Sequence, residues 1–154
     1  MLDELLLVII TTMLPVSELR GSIPLGLAFG IPFPLLILTA MITNCLVFFP
    51  VYFGLKIFYK HLFSRFNWFK KMVERTQKKG KPYIEHYGIL GLAIFVGVPL
   101  PITGVWTGTA VAWLLGLDWK KSFIAVCLGV VIAGVIVSAV CLGFITGFNF
   151  FVKY

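Results

Sequence analysis

Charged side chains are scarce in this sequence. They make up 12% of its 154 residues, whereas 60% of the residues are hydrophobic. A soluble domain usually carries about 25% charged and about 45–50% apolar residues. The composition therefore excludes an ordinary soluble domain and predicts a polytopic membrane protein with a single domain.

Cysteine is rare as well. The three cysteines, Cys45, Cys127 and Cys141, lie in separate apolar stretches, and no CxxC pair occurs. An odd number without paired spacing supports neither a disulfide framework nor a zinc site. The sequence also lacks a catalytic nucleophile motif, a phosphate-binding loop and a dinucleotide fingerprint. We therefore expect no enzymatic activity, no cofactor and no metal.

Acidic residues are few, six against 13 basic ones, and the net charge is +7. Nine of the 13 basic residues lie between Lys56 and Lys81. Such clustering in one short stretch is typical of a cytoplasmic loop between membrane helices and not of a nucleic-acid-binding groove. We therefore expect no nucleic-acid partner, and we place the basic stretch in the cytoplasm.

Two apolar stretches, residues 35–59 and 123–148, are long enough to cross a bilayer, which takes about 20 residues. Between them, residues 61–82 form a basic connector whose apolar residues recur at helical spacing up to residue 79. This pattern predicts an amphipathic helix that lies in the membrane interface and contacts anionic lipid.

Four other apolar runs are too short to span. They are residues 5–14, 23–33, 83–98 and 105–117. A polar segment that contains prolines separates the two members of each pair. We interpret each pair as two half-helices joined by a polar tip. Each pair would form a hairpin that enters the bilayer and turns back.

The first tip, residues 15–24, contains Glu18 and Arg20 within apolar surroundings. Charged groups cost roughly 2.5–3.5 kcal/mol each on insertion scales, so they must face protein or a water-filled cavity. Pro15 and Pro24 each remove a backbone donor, so we predict a broken, extended tip. In an extended tip Glu18 and Arg20 share a side. Glu18 would then carry a proton or cation and Arg20 would attract an anionic headgroup; the alternative is a structural ion pair.

The second tip follows Pro99 and Pro101 and carries hydroxyls at Thr103, Thr107 and Thr109. These hydroxyls are candidates for ligand or ion coordination, and the alternative is back-bonding to helix carbonyls.

The candidate substrate or ion ligands are polar or aromatic residues on or beside the two tips. They are Ser17, Glu18, Arg20, Asn44, Thr103, Trp106, Thr107 and Thr109. For Asn44 the alternative is a hydrogen bond to a hairpin, and for Trp106 it is packing in the core between the two halves.

The two halves of the chain share one order of segments. An offset of 86 residues pairs Pro15 with Pro101, Ser17 with Thr103 and Gly30 with Gly116. The halves are residues 1–60 and 83–154, joined by the connector. Repeats with interrupted helices at corresponding positions are typical of transporters, and the interruptions indicate the binding site.

Topology decides how the halves are related. If both hairpins are re-entrant, the repeats are inverted and Lys120 and Lys121 lie on the same face as the basic connector. If each broken segment crosses instead, these lysines lie on the opposite face. We favour the first arrangement: an all-α fold with re-entrant hairpins, both termini outside, in the cell membrane.

Residues 14–24, LPVSELRGSIP, and 98–108, VPLPITGVWTG, resemble the putative small multi-drug export protein family. The resemblance covers essentially the whole chain. That family is in turn distantly similar to the DedA superfamily, which implies paired re-entrant hairpins in inverted repeats. It also implies proton-linked transport of lipids, with Glu18 at the position of the first-hairpin acid. The essential arginines of the second DedA hairpin have no counterpart here.

The leading hypothesis is secondary transport, or flipping, of a small amphiphile or anionic lipid headgroup, with a coupled proton or cation. The alternatives are export of cationic drugs and a membrane scaffold that does not transport. We also expect a homo-oligomer, because the last helix carries small residues for close helix contact. They are Ala125, Gly129, Ala133, Gly143 and Gly147.

Overall fold

The computed structural model describes residues 2–61, 71, 75, 88–99 and 103–152. Within these ranges the chain is helical and contains no strand, which confirms the all-α prediction. The helices are α1 (Leu2–Met13), α2 (Glu18–Ala28), α3 (Phe33–His61), α4 (Gly88–Gly97), α5 (Val105–Leu114) and α6 (Trp119–Val152). The predicted amphipathic connector, residues 61–82, lies outside the described residues except for positions 61, 71 and 75.

Helices α3 and α6 are the two elements long enough to cross a membrane within the described ranges. Their apolar parts, Phe33–Tyr59 and Trp119–Phe144, have 27 and 26 residues. At about 1.5 Å per residue each is roughly 40 Å long, more than the ~30 Å of a bilayer core. The two predicted spans are therefore confirmed as helices of sufficient length.

Helix α6 begins before the apolar stretch, residues 123–148, that predicted it. The helix begins at Trp119, because Asp118 acts as its N-cap. The Asp118 carboxylate accepts a hydrogen bond from the Lys120 N–H at 2.7 Å, and the Asp118 carbonyl accepts one from the Ser122 N–H at 2.9 Å. A carboxylate at this position satisfies an N–H group that has no partner inside the helix.

The two long helices pack side by side in opposite directions. Phe53, late in α3, contacts Trp119 at the start of α6, with ring centroids 6.2 Å apart. Met41, early in α3, packs against Gly134, far along α6. Lys56 and the two lysines at the start of α6 therefore lie at the same end of the helix pair.

Three of the other helices, α1, α2 and α5, are short, with 10 to 12 residues each. They are about 15–18 Å long, half the thickness of a bilayer core. Four residues join α1 to α2, and these helices pack against each other, with Gly21 close to Thr11. In the second half α4 and α5 also pack against each other, with Gly108 against Val96.

The first tip is shorter than the sequence predicted, and the expectation of an extended segment up to Pro24 was wrong. The non-helical part is limited to residues 14–17, and α2 continues through Pro24. The fixed φ of Pro24 is compatible with a helix, but Pro24 cannot donate to the Arg20 carbonyl and its ring crowds that carbonyl. The neighbouring residues Ile23 and Gly26 are buried in the protein, and this packing stabilises the helix through the proline.

The 86-residue offset reappears in the backbone. Gly30 and Gly116, which end the turns after α2 and α5, have φ values of 71° and 75°. Glycine adopts this left-handed conformation without steric cost. The helices that follow begin at equivalent positions, Phe33 and Trp119. The equivalent stretches of the two halves therefore have the same local fold.

Helices α2 and α5 extend in opposite directions along α3. Gly26, near the end of α2, packs against Leu36 at the start of α3. Trp113, near the end of α5, packs against Tyr59 at the end of α3, with ring centroids 5.4 Å apart. The N-terminal ends of α2 and α5 consequently meet beside the middle of α3, and this meeting point is the candidate site.

Candidate functional site

The Glu18 side chain joins the two halves of the chain. Glu18 is the first residue of α2 and is only 6% exposed. Its carboxylate oxygens accept hydrogen bonds from the backbone N–H groups of Val105 at 3.2 Å and Trp106 at 3.3 Å. These are the first two residues of α5, whose N–H groups have no partner within the helix. The positive end of the α5 dipole also favours an anion here.

Glu18 adopts an uncommon backbone conformation. Its φ is +43°, a left-handed value that few non-glycine residues have. Such conformations cost roughly 1–3 kcal/mol and persist where surrounding contacts enforce them. The two hydrogen bonds from α5 are contacts of this kind.

Gly104 makes room for the Glu18 carboxylate. A Cβ atom at Gly104 would overlap the carboxylate, and the φ of Gly104 is 155°. Sequence reasoning did not include Gly104 among the site residues. The available signal was the offset of 86, which makes Gly104 the counterpart of Glu18 in the second half.

Two further hydrogen bonds connect the tips. The Arg20 guanidinium donates to the Thr103 carbonyl oxygen. In the opposite direction, the Trp106 indole Nε1–H donates to the Met13 carbonyl oxygen at 3.2 Å. Arg20 and Trp106 are again counterparts at the 86-residue offset. Each tip therefore donates to a backbone carbonyl of the other from the same relative position.

Asn44, in α3, lies beside this contact. It is 2% exposed, and its side chain interacts electrostatically with the Glu18 carboxylate. Its Oδ1 atom has no hydrogen-bond partner in the part of the chain that the structure describes. Asn44 also lines a small cavity of about 10 Å³. The polar and tip residues around this cavity are Glu18, Arg20, Asn44, Pro99, Thr103 and Gly104.

The remaining candidate hydroxyls lie close to the tips. Two of them donate hydrogen bonds to carbonyls nearby in sequence, and the others make no such bond among the described residues. The Thr103 hydroxyl donates to the Val98 carbonyl, and the Thr107 hydroxyl donates to the Gly104 carbonyl at 3.4 Å. Ser17 precedes α2 and makes no side-chain capping hydrogen bond. Thr109 is fully buried one turn along α5, and its hydroxyl has no partner in the described ranges.

The four tip prolines have different surroundings. Pro15 is exposed at the first tip, and Pro24 is exposed within α2. Pro99 lines the small cavity, whereas Pro101 lies outside the described residues.

An apolar groove lies between α2 and α6. Its volume is about 370 Å³, and it is open on one side. The residues that line it are Pro24, Leu27, Ala28, Val140, Cys141 and Phe144. None of them is charged, so the groove suits an apolar chain. Among the described residues, no group of three or more His, Cys, Asp or Glu side chains is placed to hold a metal ion.

A large part of the chain is similar to a known protein family. The profile of a family described as putative small multi-drug export protein matches residues 18–136. No curated protein and no solved structure matches the chain. The matched range begins at Glu18 and contains both N-terminal helix ends that meet at the candidate site.

Proposed function

The chain belongs to the putative small multi-drug export protein family, and from this premise we propose that it is a membrane transporter. Two apolar helices of spanning length agree with a protein of the membrane. The observation that carries the proposal is the position of Glu18. An ionisable side chain buried between two halves of a membrane protein is a usual coupling device in transporters.

The proposed arrangement is an inverted repeat of re-entrant hairpins, α1–α2 and α4–α5, each followed by a spanning helix. The half-bilayer lengths of the short helices support it. So does the contact between Glu18 and its counterpart Gly104, because equivalent residues of two repeats touch only near the axis that relates them. Lys56 and the lysines of α6 share one end, which the positive-inside rule assigns to the cytoplasm. Both termini would then lie outside. The DedA similarity, which the family match does not address, stays a prediction.

In this proposal, proton binding at Glu18 controls the contact between the tips. Hydrogen bonds to an ionised carboxylate are about twice as strong as those to a neutral group. Protonation of Glu18 therefore weakens its hold on Val105 and Trp106. The N-terminus of α5 is then less tightly bound to the first half, and the two halves can move relative to each other.

The proposed substrate is a small amphiphile with an anionic group. Arg20 uses one donor on the Thr103 carbonyl, and a guanidinium has five N–H donors in all. The apolar groove beside α2 offers space for the apolar part of such a molecule. A cationic drug is the second candidate, but the Glu18 carboxylate already accepts two N–H groups and lies near Arg20. A membrane scaffold is the third, since the same hydrogen bonds would lock two hairpins together.

We further propose that the chain forms a homo-oligomer through the second half of α6. Ala125, Gly129 and Ala133 are used within the chain; Gly129, for example, packs against Val96 of α4. Gly143 has open space where a Cβ would be, so its surface is available to a second copy.

The test compares Glu18→Gln with the parent in liposomes. Transport is followed with phosphatidylglycerol labelled by a fluorescent headgroup and, separately, with ethidium as a cationic probe. A coupled transporter loses at least tenfold of its flux in the Gln variant while the unfolding midpoint stays near that of the parent. Asp3→Asn is the matched control, because Asp3 is an exposed acid at the start of α1.

The two probes and the stability measurement separate the candidates. Flux of labelled lipid that depends on Glu18 supports the leading proposal, and flux of ethidium alone supports the cationic exporter. The scaffold is supported if the parent transports neither probe and the Gln variant unfolds at a much lower denaturant concentration. Undiminished flux in the Gln variant refutes the role of Glu18.

A further inference from the structure

Four buried side-chain oxygens have no hydrogen-bond partner within the described ranges. They are Ser22 Oγ, Asn44 Oδ1, Thr109 Oγ1 and Ser138 Oγ. The four residues are between 0% and 7% exposed. An unpaired buried polar group is costly, and most such groups in proteins are paired with protein or with ordered water. Four of them in the membrane-embedded part of one small chain need a common explanation.

These oxygens lie on both sides of Glu18. Ser22 follows Glu18 by four residues on α2, and Thr109 follows Val105 by four residues on α5. Residues four apart on a helix are neighbours on one face, separated by about 6 Å along the axis. Because α2 and α5 extend in opposite directions along α3, Ser22 and Thr109 lie towards opposite ends of the molecule.

The other two residues lie in the lining of the small cavity or next to a lining residue in sequence. Asn44 lines it, and Ser138 directly follows Val137, which also lines it. The cavity volume of about 10 Å³ is room for about one water molecule. A buried water needs two to four polar partners, and Glu18, Asn44 and Arg20 supply them here.

We propose that these oxygens line a hydrated path that brings protons to Glu18 from both membrane faces. The inference rests on the proposed proton binding at Glu18 and adds the route by which protons reach it. A proton passes from a hydronium in the path to a carboxylate oxygen of Glu18, and later from that oxygen to water on the other side. Each water molecule that gives up a proton receives another from its neighbour in the hydrogen-bonded chain. The number of atoms and the total charge therefore stay the same.

Serine and threonine suit this task because a hydroxyl both donates and accepts. The Asn44 Oδ1 atom accepts a hydrogen bond from water or from protonated Glu18. Among the described residues that line the small cavity, Glu18 and Arg20 carry ionisable side chains. A guanidinium has no acceptor atom, so Glu18 is the proton acceptor.

The chain contains a matched control for a buried hydroxyl. Thr12, on α1, is fully buried like Thr109, but its hydroxyl donates to the Val8 carbonyl at 2.7 Å. The Thr12 hydroxyl therefore has a protein partner and does not need a water molecule. Replacing threonine by valine at either position keeps the shape of the side chain and removes the hydroxyl.

The experiment measures proton-coupled flux of the labelled phosphatidylglycerol, with a pH-sensitive dye inside the liposomes. We expect Thr109→Val and Ser22→Ala each to reduce proton flux at least fivefold, Thr109→Ser to retain it, and Thr12→Val to stay within twofold of the parent. Unfolding midpoints of all variants are measured in parallel. If Ser22→Ala fails to fold, Ser22→Thr, which keeps a hydroxyl, is compared with Ser22→Val.

Radiolytic hydroxyl labelling with mass spectrometry provides a second readout that does not need transport. Bound water should label the peptides around Ser22 and Thr109 in the parent, and this label should fall in Thr109→Val. The proposed water path is wrong if the parent protein carries no such label. It is also wrong if Thr109→Val and Ser22→Ala have normal proton flux while Glu18→Gln is inactive. Neither result contradicts the proposed role of Glu18. Full coupled flux in Glu18→Gln overturns the proposed function and the path together.

Discussion

The Glu18 carboxylate occupies the space that a side chain on Gly104 would fill, and these two residues are counterparts in the two halves of the chain. Two acids at this point would overlap and repel each other. The point where the halves meet has room for one side chain, and this side chain is Glu18 of the first half. Val130, the counterpart of Asn44, lines the same cavity. At this pair of positions, too, the first half has a polar side chain and the second half has an apolar residue. The polar chemistry of the contact thus comes mainly from the first half.

We expect Gly104→Ala to destabilise the protein by roughly 2–4 kcal/mol, from backbone strain together with lost hydrogen bonds. The new Cβ displaces the Glu18 carboxylate from the N–H groups of α5, and the backbone conformation at Gly104 disfavours a side chain by about 1–3 kcal/mol. Unfolding in mixed micelles, followed by tryptophan fluorescence, measures the loss. Gly54→Ala, in α3, is the control: its Cβ meets nothing within 4 Å, and alanine in a helix is favoured over glycine by about 0.5–1 kcal/mol. Equal stability of the two variants would contradict the proposed overlap.

Gly129→Ala should separate α4 from α6. A Cβ at Gly129 would lie 2.6 Å from the Val96 Cβ and 2.7 Å from the Ala93 carbonyl oxygen, and the backbone atom cannot move aside cheaply. Overpacking of this kind typically costs about 1–3 kcal/mol. The same unfolding assay measures the loss, again relative to Gly54→Ala. A variant as stable as the parent would show that α4 and α6 are farther apart than described.

Tyr52→Phe tests the link between α3 and the turn after α5. The Tyr52 hydroxyl donates to the Leu117 carbonyl at 2.8 Å, and the Tyr52 ring stacks on Phe48 with centroids 5.3 Å apart. The phenylalanine variant keeps the stacking and leaves the carbonyl unpaired, so we expect a loss of about 1–2 kcal/mol. Tyr52→Leu removes both contacts and should lose more. If the two variants are equally stable, the ring contributes nothing measurable.

Cys45 and Cys127 are predicted to cross-link. The thiols of Cys45 on α3 and Cys127 on α6 are close enough to interact electrostatically, and the Phe48–Phe123 contact one turn away, at 5.4 Å, fits the same register. Both cysteines are free. Mild oxidation with iodine should convert the two thiols to one intramolecular disulfide, with iodine reduced to iodide and both protons released.

Mass spectrometry under non-reducing conditions detects this disulfide as one peptide containing segments of α3 and α6. Cys141 should remain a free thiol, and Cys45→Ser should abolish the cross-linked peptide. A cross-link that involves Cys141 instead would require a different register of the two long helices. Sequence spacing could not reveal the pair, since the two cysteines lie 82 positions apart.

The prediction of an extended first tip illustrates a limit of sequence reasoning. A proline disfavours a helix in the residue before it, but it does not forbid one. Whether α2 ends before Pro24 or continues through it depends on how the helix packs in the protein, and here Ile23 and Gly26 on either side of Pro24 are buried. Consequently Glu18 and Arg20 lie on a helix and not on an extended strand. The two side chains point in different directions but both contact the second tip. Arg20 donates to the Thr103 carbonyl, and Glu18 accepts from N–H groups of residues 105 and 106.

Membrane residence, the number of long helices and the position of the polar tips followed from the sequence by itself. These properties are local: they depend on the length of an apolar run relative to the bilayer and on where prolines and charges interrupt it. Tertiary structure alone decided that Glu18 binds the first N–H groups of α5, that Gly104 leaves room for it and that Asn44 faces the same cavity. Those contacts join residues far apart in the chain, and small differences in helix packing determine which donor reaches which acceptor.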